Sequence, residues 1–140
     1  MCSIVDGLPK NVLWEDENFM VARHFKEGVG VGYMFLISKR HFQGPSTMND
    51  AEASSVGLVL KRCEKALEKV TGCDRVYTAA LGSPAVPHMH FHMVPVFSSG
   101  QTASKVTGTP FDVFLQSYPD ECPAKAARVA ADFKTEMARL

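Results

Sequence analysis

His88-Met89-His90-Phe91-His92-Met93-Val94 is the stretch on which the reading of this chain turns. Three of only five histidines occupy alternate positions, and Met89, Phe91 and Met93 fill the places between and after them. Successive side chains of a β-strand point to opposite faces, so the alternation predicts a strand over 88–97. One face would be polar, offering three imidazoles to a ligand or to solvent; the other would carry Met89, Phe91 and Met93 into the core.

Reading outward, Arg75 to Ala80 forms a second strand, joined to the first by a turn around Gly82-Ser83-Pro84, and the two are expected to be neighbours. Tyr33-Met34-Phe35-Leu36-Ile37-Ser38 has the length and composition of a well-buried strand. Val12-Leu13-Trp14 and Phe19-Met20-Val21-Ala22 flank the polar Glu15-Asp16-Glu17-Asn18 and read as a tight antiparallel hairpin. Between strands, Ala53, Val56, Leu60, Cys63, Leu67 and Val70 follow helical spacing; Asn49 with Glu52 makes a capping box and Gly72 supplies the stop. Pro123 opens a second helix with Ala126, Val129, Phe133 and Met137 on one face, while residues 98–122 read as irregular. Gly28, Gly30 and Gly32 read as a turn: neither a dinucleotide fingerprint nor a phosphate-loop Lys-Ser/Thr ending accompanies them.

Composition narrows the class. A chain of 140 residues, 46% apolar and 21% charged, can bury one self-sufficient core, which predicts a single domain over 1–140. Fifteen Lys and Arg balance fifteen Asp and Glu, so no net field draws the protein onto a nucleic-acid polymer or an anionic membrane. The N-terminus lacks the plan of a secretion signal and no apolar run is long enough to span a bilayer, so a cytoplasmic protein is expected. Cys2, Cys63, Cys73 and Cys122 are scattered, which reads as reduced thiols.

The three histidines propose a chemistry. A neutral imidazole can attack phosphorus with one nitrogen while the other donates to an orienting acceptor, which makes a phosphohistidine intermediate available. Neighbouring imidazoles can donate to phosphate oxygens or protonate a leaving group. The same pattern also suits a metal ion, since two histidines at this spacing chelate zinc when a third ligand converges. Exposed histidines without a task are the bland alternative.

At this point the sequence resembles the histidine triad (HIT) family, whose signature is His-φ-His-φ-His-φ-φ with φ apolar. The likeness extends to Trp14-Glu15-Asp16-Glu17-Asn18-Phe19, similar to the family's first hairpin, and to Met34 through Lys39-Arg40-His41, similar to its strand ending in a Lys-basic-His group. The motif core spans about 12–97, leaving 98–140 as a C-terminal extension. The resemblance implies an α+β fold: a five-stranded antiparallel sheet with one long and one C-terminal helix, dimerising into a ten-stranded sheet. It also implies hydrolysis or transfer at a nucleotide α-phosphate, with His90 forming the covalent nucleotidyl intermediate, His88 orienting the nucleophile and His92 contacting phosphate. No cofactor is required for this.

By the same resemblance His24 stands where active members often carry a ribose-binding Asp, Tyr33 where an additional histidine is common, and Ser83 among the phosphate contacts, which makes these three the nucleotide-binding candidates. Val96 replaces a common Arg. Some members hold structural zinc through an N-terminal Cys-x-x-Cys, the His of the Lys-basic-His group and the first triad histidine; Cys2, His41 and His88 match three of those positions, and Val5 replaces the second cysteine. The expected ligand is therefore a small nucleotide, purine by family habit, bound by a homodimer. The alternatives are a HIT-fold nucleotide-binding or interaction module without turnover, and a metal-binding protein using the histidine cluster.

Overall fold

A computed structural model describes residues 11–23, 31–82, 84, 86–97 and 123–140. The expected hairpin is present as β1 (Val12–Glu15) and β2 (Phe19–Arg23), antiparallel, with a register shift between Val12 and Trp14. Its turn is closed by Asp16, whose carboxylate accepts the backbone N–H of Asn18 at 2.8 Å and of Phe19 at 2.7 Å. A short acidic side chain that bonds to the backbone two and three residues on is what favours Asp at such corners.

The apolar run after Tyr33 forms β3 (Met34–Ser38), every residue of which is buried. Helix α1 (Asp50–Thr71) follows a single 3-10 turn, then β4 (Arg75–Ala79), β5 (His90–Val96) and helix α2 (Pro123–Arg139). The five strands form one antiparallel sheet in the order β1-β2-β3-β5-β4. The middle place of β3 explains why its sequence does not alternate: both faces are covered, so both must be apolar.

One face of the sheet packs against both helices. Val21, Met34, Leu36 and Met93 meet Cys63 and Leu67 of α1 and Phe133 and Met137 of α2 in one cluster. Side chains of this size contribute about 1.5–3 kcal/mol each when fully buried. The four apolar positions expected on one face of α2 are all buried. Helix α2 thus packs into the same core as the motif-bearing strands.

The face of α1 that meets the core is the one expected except at its start: Cys63 and Leu67 are buried, and Val56, Leu60 and Val70 pack against the same cluster. Ala53 is exposed, Val56, Leu60 and Val70 are partly buried, and the buried set is Glu52, Val59, Cys63, Ala66 and Leu67. The capping box at Asn49 forms as expected, and Glu52 is also held from outside the helix by Arg40, in a bidentate pair at 2.9 and 2.7 Å. Glu52 is thereby buried with its charge paired, where Ala53 beside it stays exposed. Gly72 closes the helix in the left-handed conformation, φ 69°, where glycine has no Cβ to clash. No helix among the described residues is long and apolar enough to cross a membrane.

Candidate functional site

The histidine strand pairs with β3 on one side and β4 on the other, so its outer face is set by register. Ile37 lies opposite His90 and Phe35 opposite His92, while Ala79 faces His92 from β4. Directly paired residues share a face, which places Tyr33, Phe35 and Ile37 beside the imidazoles. Phe35 makes T-shaped contacts with both rings, 5.6 Å from His90 and 4.9 Å from His92 between centroids, and the two imidazoles are 4.9 Å apart.

Two expectations are corrected here. The strand begins at His90 and not at His88, which sits in a bend just before it. The histidine face is not an open polar surface: His88 and His90 are 3% and 6% exposed, over a floor formed by Ala22, Phe35, Ile37 and Val94. The alternation of residue types suggested a solvated side because it cannot report what neighbouring strands contribute.

The hydrogen bonds fix which nitrogens carry protons. His90 Nδ1 lies 2.7 Å from the carbonyl oxygen of His88, and a carbonyl can only accept, so Nδ1 holds the proton. Nε2 of neutral His90 is left with the lone pair, the state a nucleophile needs. His88 is engaged elsewhere: its Nε2 donates to the Ser38 carbonyl at 2.6 Å, and its Nδ1 lies 3.2 Å from Nδ1 of His41. His88 therefore serves His90 through its backbone carbonyl, while its ring packs edge-on to His41. Burial holds the His88 imidazole below its ordinary value; the Ser38 carbonyl pushes it back up, and His41 and His90 lower it further. Neutral His88, protonated at Nε2, presents a lone pair at Nδ1, to which His41 donates. His92 is bonded through Nδ1 to the hydroxyl of Tyr33 at 2.5 Å.

The Lys-Arg-His group divides its work. Lys39 pairs with Glu15 at 3.0 Å, Arg40 turns to Glu52 and to the carbonyl of Thr47 at 2.7 Å, and His41 turns to His88. Of the sequence candidates, the structure brings together His88, His90, His92, Tyr33 and His41. Cys2, His24 and Ser83, together with residues 98–122, lie outside the described residues. Two contributors escaped the sequence reading. Phe35 was legible from its alternation with Tyr33 and Ile37; the Ser38 carbonyl is backbone, and no side-chain pattern announces it.

For zinc, the His41–His88 pair is the relevant test. Two nitrogens bound tetrahedrally at zinc stand about 3.3 Å apart, given Zn–N bonds near 2.0–2.1 Å. The pair has this spacing, and a metal ion would replace the proton between the two nitrogens. Two donors thus fit; among the described residues no group of three His, Cys, Asp or Glu side chains is placed to hold a metal ion.

The HIT domain family model matches residues 6–99, well over half the chain. This chain belongs to the HIT family. Among solved structures, this HIT protein is similar to a hypothetical histidine triad nucleotide-binding protein from Sulfolobus tokodaii (16% identity, 93% of this chain and 85% of that one, TM-score 0.68). It is similar also to a zinc-bound histidine triad family protein from Mycobacterium smegmatis (19% identity, 99% and 95%, TM-score 0.64). A histidine triad protein from Bradyrhizobium japonicum gives 17% identity over 99% and 95%, with TM-score 0.67. At these identities the likeness shows the fold, and the five-stranded sheet with two helices is the HIT fold. Comparison with curated protein sequences returns no match.

Proposed function

We propose that this HIT protein hydrolyses or transfers a nucleotide at its α-phosphate through a covalent intermediate on His90. The observation that carries the reading is the bond from His90 Nδ1 to the His88 carbonyl, which leaves Nε2 with a lone pair on the face shared with His92. In the first step His90 Nε2 attacks the α-phosphorus, an N–P bond forms, and the bond to the leaving group breaks as that group takes up a proton from solvent. Water then attacks phosphorus and gives up a proton to solvent, the N–P bond breaks, and the nucleoside monophosphate leaves with neutral imidazole restored. An acceptor other than water gives transfer. The family's general chemistry, nucleotide binding with hydrolysis or transfer, is the setting for this step.

A purine nucleotide, a homodimer and a cytoplasmic setting are parts of the same proposal, supported by family resemblance; the balanced charge of the chain supports a small nucleotide over a nucleic-acid polymer. A structural zinc on His41, His88 and Cys2 accompanies it, supported by the spacing of the two imidazoles. The chemical step does not pass through it.

The test is intact-protein mass spectrometry after rapid mixing with adenosine phosphoramidate or a diadenosine polyphosphate, with product release followed in parallel. Wild type is expected to show an adenylyl adduct or turnover, and His90→Ala to lose it by on the order of a thousandfold or more. Equal turnover by wild type and a folded His90→Ala would remove His90 as nucleophile. Binding without adduct or release, with a guanosine counterpart as well, would leave a nucleotide-binding module.

A further inference from the structure

Tyr33 precedes β3 and is almost fully buried, with its ring 5.6 Å from Phe35 and 5.8 Å from His92. Packing accounts for an aromatic ring at this place, but a phenylalanine would pack there too. What it does not account for is the hydroxyl, which is brought to Nδ1 of His92, on the same face as the reacting histidine. The neighbouring imidazole, His90, has its own Nδ1 held by a carbonyl and is therefore protonated there.

We propose that Tyr33 is a positioning residue that acts through His92: its hydroxyl donates to His92 Nδ1 and so leaves the ring proton on Nε2. An imidazole nitrogen with a lone pair is a much better acceptor than a phenol oxygen, while a neutral phenol, with a pKa near 10, is a competent donor. The favoured bond between the two is O–H to N. A neutral imidazole carries one proton, so occupation of Nδ1 as acceptor places that proton on Nε2. The two adjacent rings of the triad then hold opposite tautomers. His90 keeps a lone pair at Nε2, and His92 keeps an N–H at the nitrogen turned away from Tyr33.

This arrangement divides labour between two chemically identical side chains. If both rings held the His90 tautomer, two lone pairs would share the site and neither would donate to an anionic oxygen. With opposite tautomers one ring attacks and the other supplies a hydrogen-bond donor for the charge that gathers on the phosphoryl group. The inference rests on the proposed phosphoryl chemistry for its purpose, but the tautomers can be read without any substrate. It also changes the place of Tyr33: it serves the nucleotide through His92 and not by touching it.

The experiment is ring-nitrogen NMR on uniformly ¹⁵N-labelled protein at a pH where the histidines are neutral, comparing wild type with Tyr33→Phe. The expected spectrum has His92 protonated at Nε2 and His90 at Nδ1; in Tyr33→Phe the His92 signals move toward a mixture of tautomers while His90 keeps its own. A second measurement covers the case in which Tyr33→Phe does not fold. Incorporation of 3-fluorotyrosine keeps the shape but makes the hydroxyl a stronger donor, and it should move His92 Nδ1 more than either nitrogen of His90. His92 protonated at Nδ1 in wild type overturns the proposal, as does an Nε2–H tautomer unchanged in Tyr33→Phe or a His92 Nδ1 indifferent to fluorination. Turnover is scored separately: a wild type that shows the expected tautomers and no turnover rejects the catalytic reading and leaves the role of Tyr33 standing. Where turnover is present, Tyr33→Phe should lower kcat about tenfold or more with little change in KM, since one donor to the transition state is misplaced.

Discussion

Replacing Gly32 by alanine should damage this protein twice, through stability and through the site. Gly32 has φ 83°, and a Cβ built there would stand 2.9 Å from Cγ of Pro95, 3.1 Å from Cγ2 of Thr71 and 3.8 Å from Cδ2 of Leu67. The left-handed backbone costs an alanine about 1–2 kcal/mol. The contacts add about 1–3 kcal/mol, the usual cost of an extra methyl in a packed site. Neither near neighbour yields easily, because proline is a ring and threonine is stiff at its branched carbon. The sum is about 2–5 kcal/mol, which in a chain of this size lowers Tm by about 6–20 °C. Urea unfolding followed by Trp14 fluorescence, at matched protein concentration, measures it. Gly57 is the control: it lies in α1, exposed, with open space where a Cβ would go. Gly57→Ala should stabilise by about 0.8–1 kcal/mol, the helix-propensity difference. A loss below about 1 kcal/mol for Gly32→Ala would refute the reasoning, since ordinary surface changes fall within about half that. Because Tyr33 follows directly, any backbone shift that relieves the strained alanine also moves the phenol, and the bond to His92 should weaken in the same variant.

Further outcomes follow from the remaining contacts. His88 is held below its ordinary imidazole value of 6.5 by burial. The unfolded chain therefore binds the proton first, so the neutral ring's contribution is complete above about pH 6.5 and falls as the pH drops toward the folded value; in His88→Gln the Tm between pH 7.5 and 5.5 should fall less than in wild type, and an equal fall would count against it. Glu52 is held below the ordinary carboxylate value of 4.5, chiefly by its bond to Arg40, against the opposing effect of burial. Its stabilisation is present above that ordinary value and lost as the pH falls through the lower folded one, so Glu52→Gln should lower Tm at neutral pH and flatten the acid limb; thermal melts of the two proteins at pH 7 and pH 3.5 check both. Burial pushes the Cys63 thiol up to about 12. Peptide mapping after alkylation at pH 8 should find half-buried Cys73 modified ahead of Cys63, with Cys63 reacting only as the protein unfolds; equal rates in the native state would contradict the buried placement.

Much of the fold was legible in the residues because local physics dictates it. The Asp16 turn, the capping box at Asn49 and the stop at Gly72 are short-range hydrogen-bond arrangements, and they form as their spacing requires. The uninterrupted apolar run from Met34 to Ile37 already announced a strand covered on both faces. The histidines, too, were visible as alternating donors on a strand.

Tertiary contacts decided the rest. Whether His90 presents a nucleophilic nitrogen depends on a carbonyl two residues back, in the bend that precedes the strand. The turning of His88 toward Ser38 and His41 joins residues 50 and 47 positions apart in sequence. The buried charge of Glu52 is paired by Arg40, and the pairing of Tyr33 with His92 spans 59 positions. Periodicity states which face a side chain takes; it carries no term for what another strand places opposite. The sequence by itself determined which groups are present and how they alternate, while only the folded chain decided where each proton sits, because a tautomer is set by the partner that the fold brings to the ring.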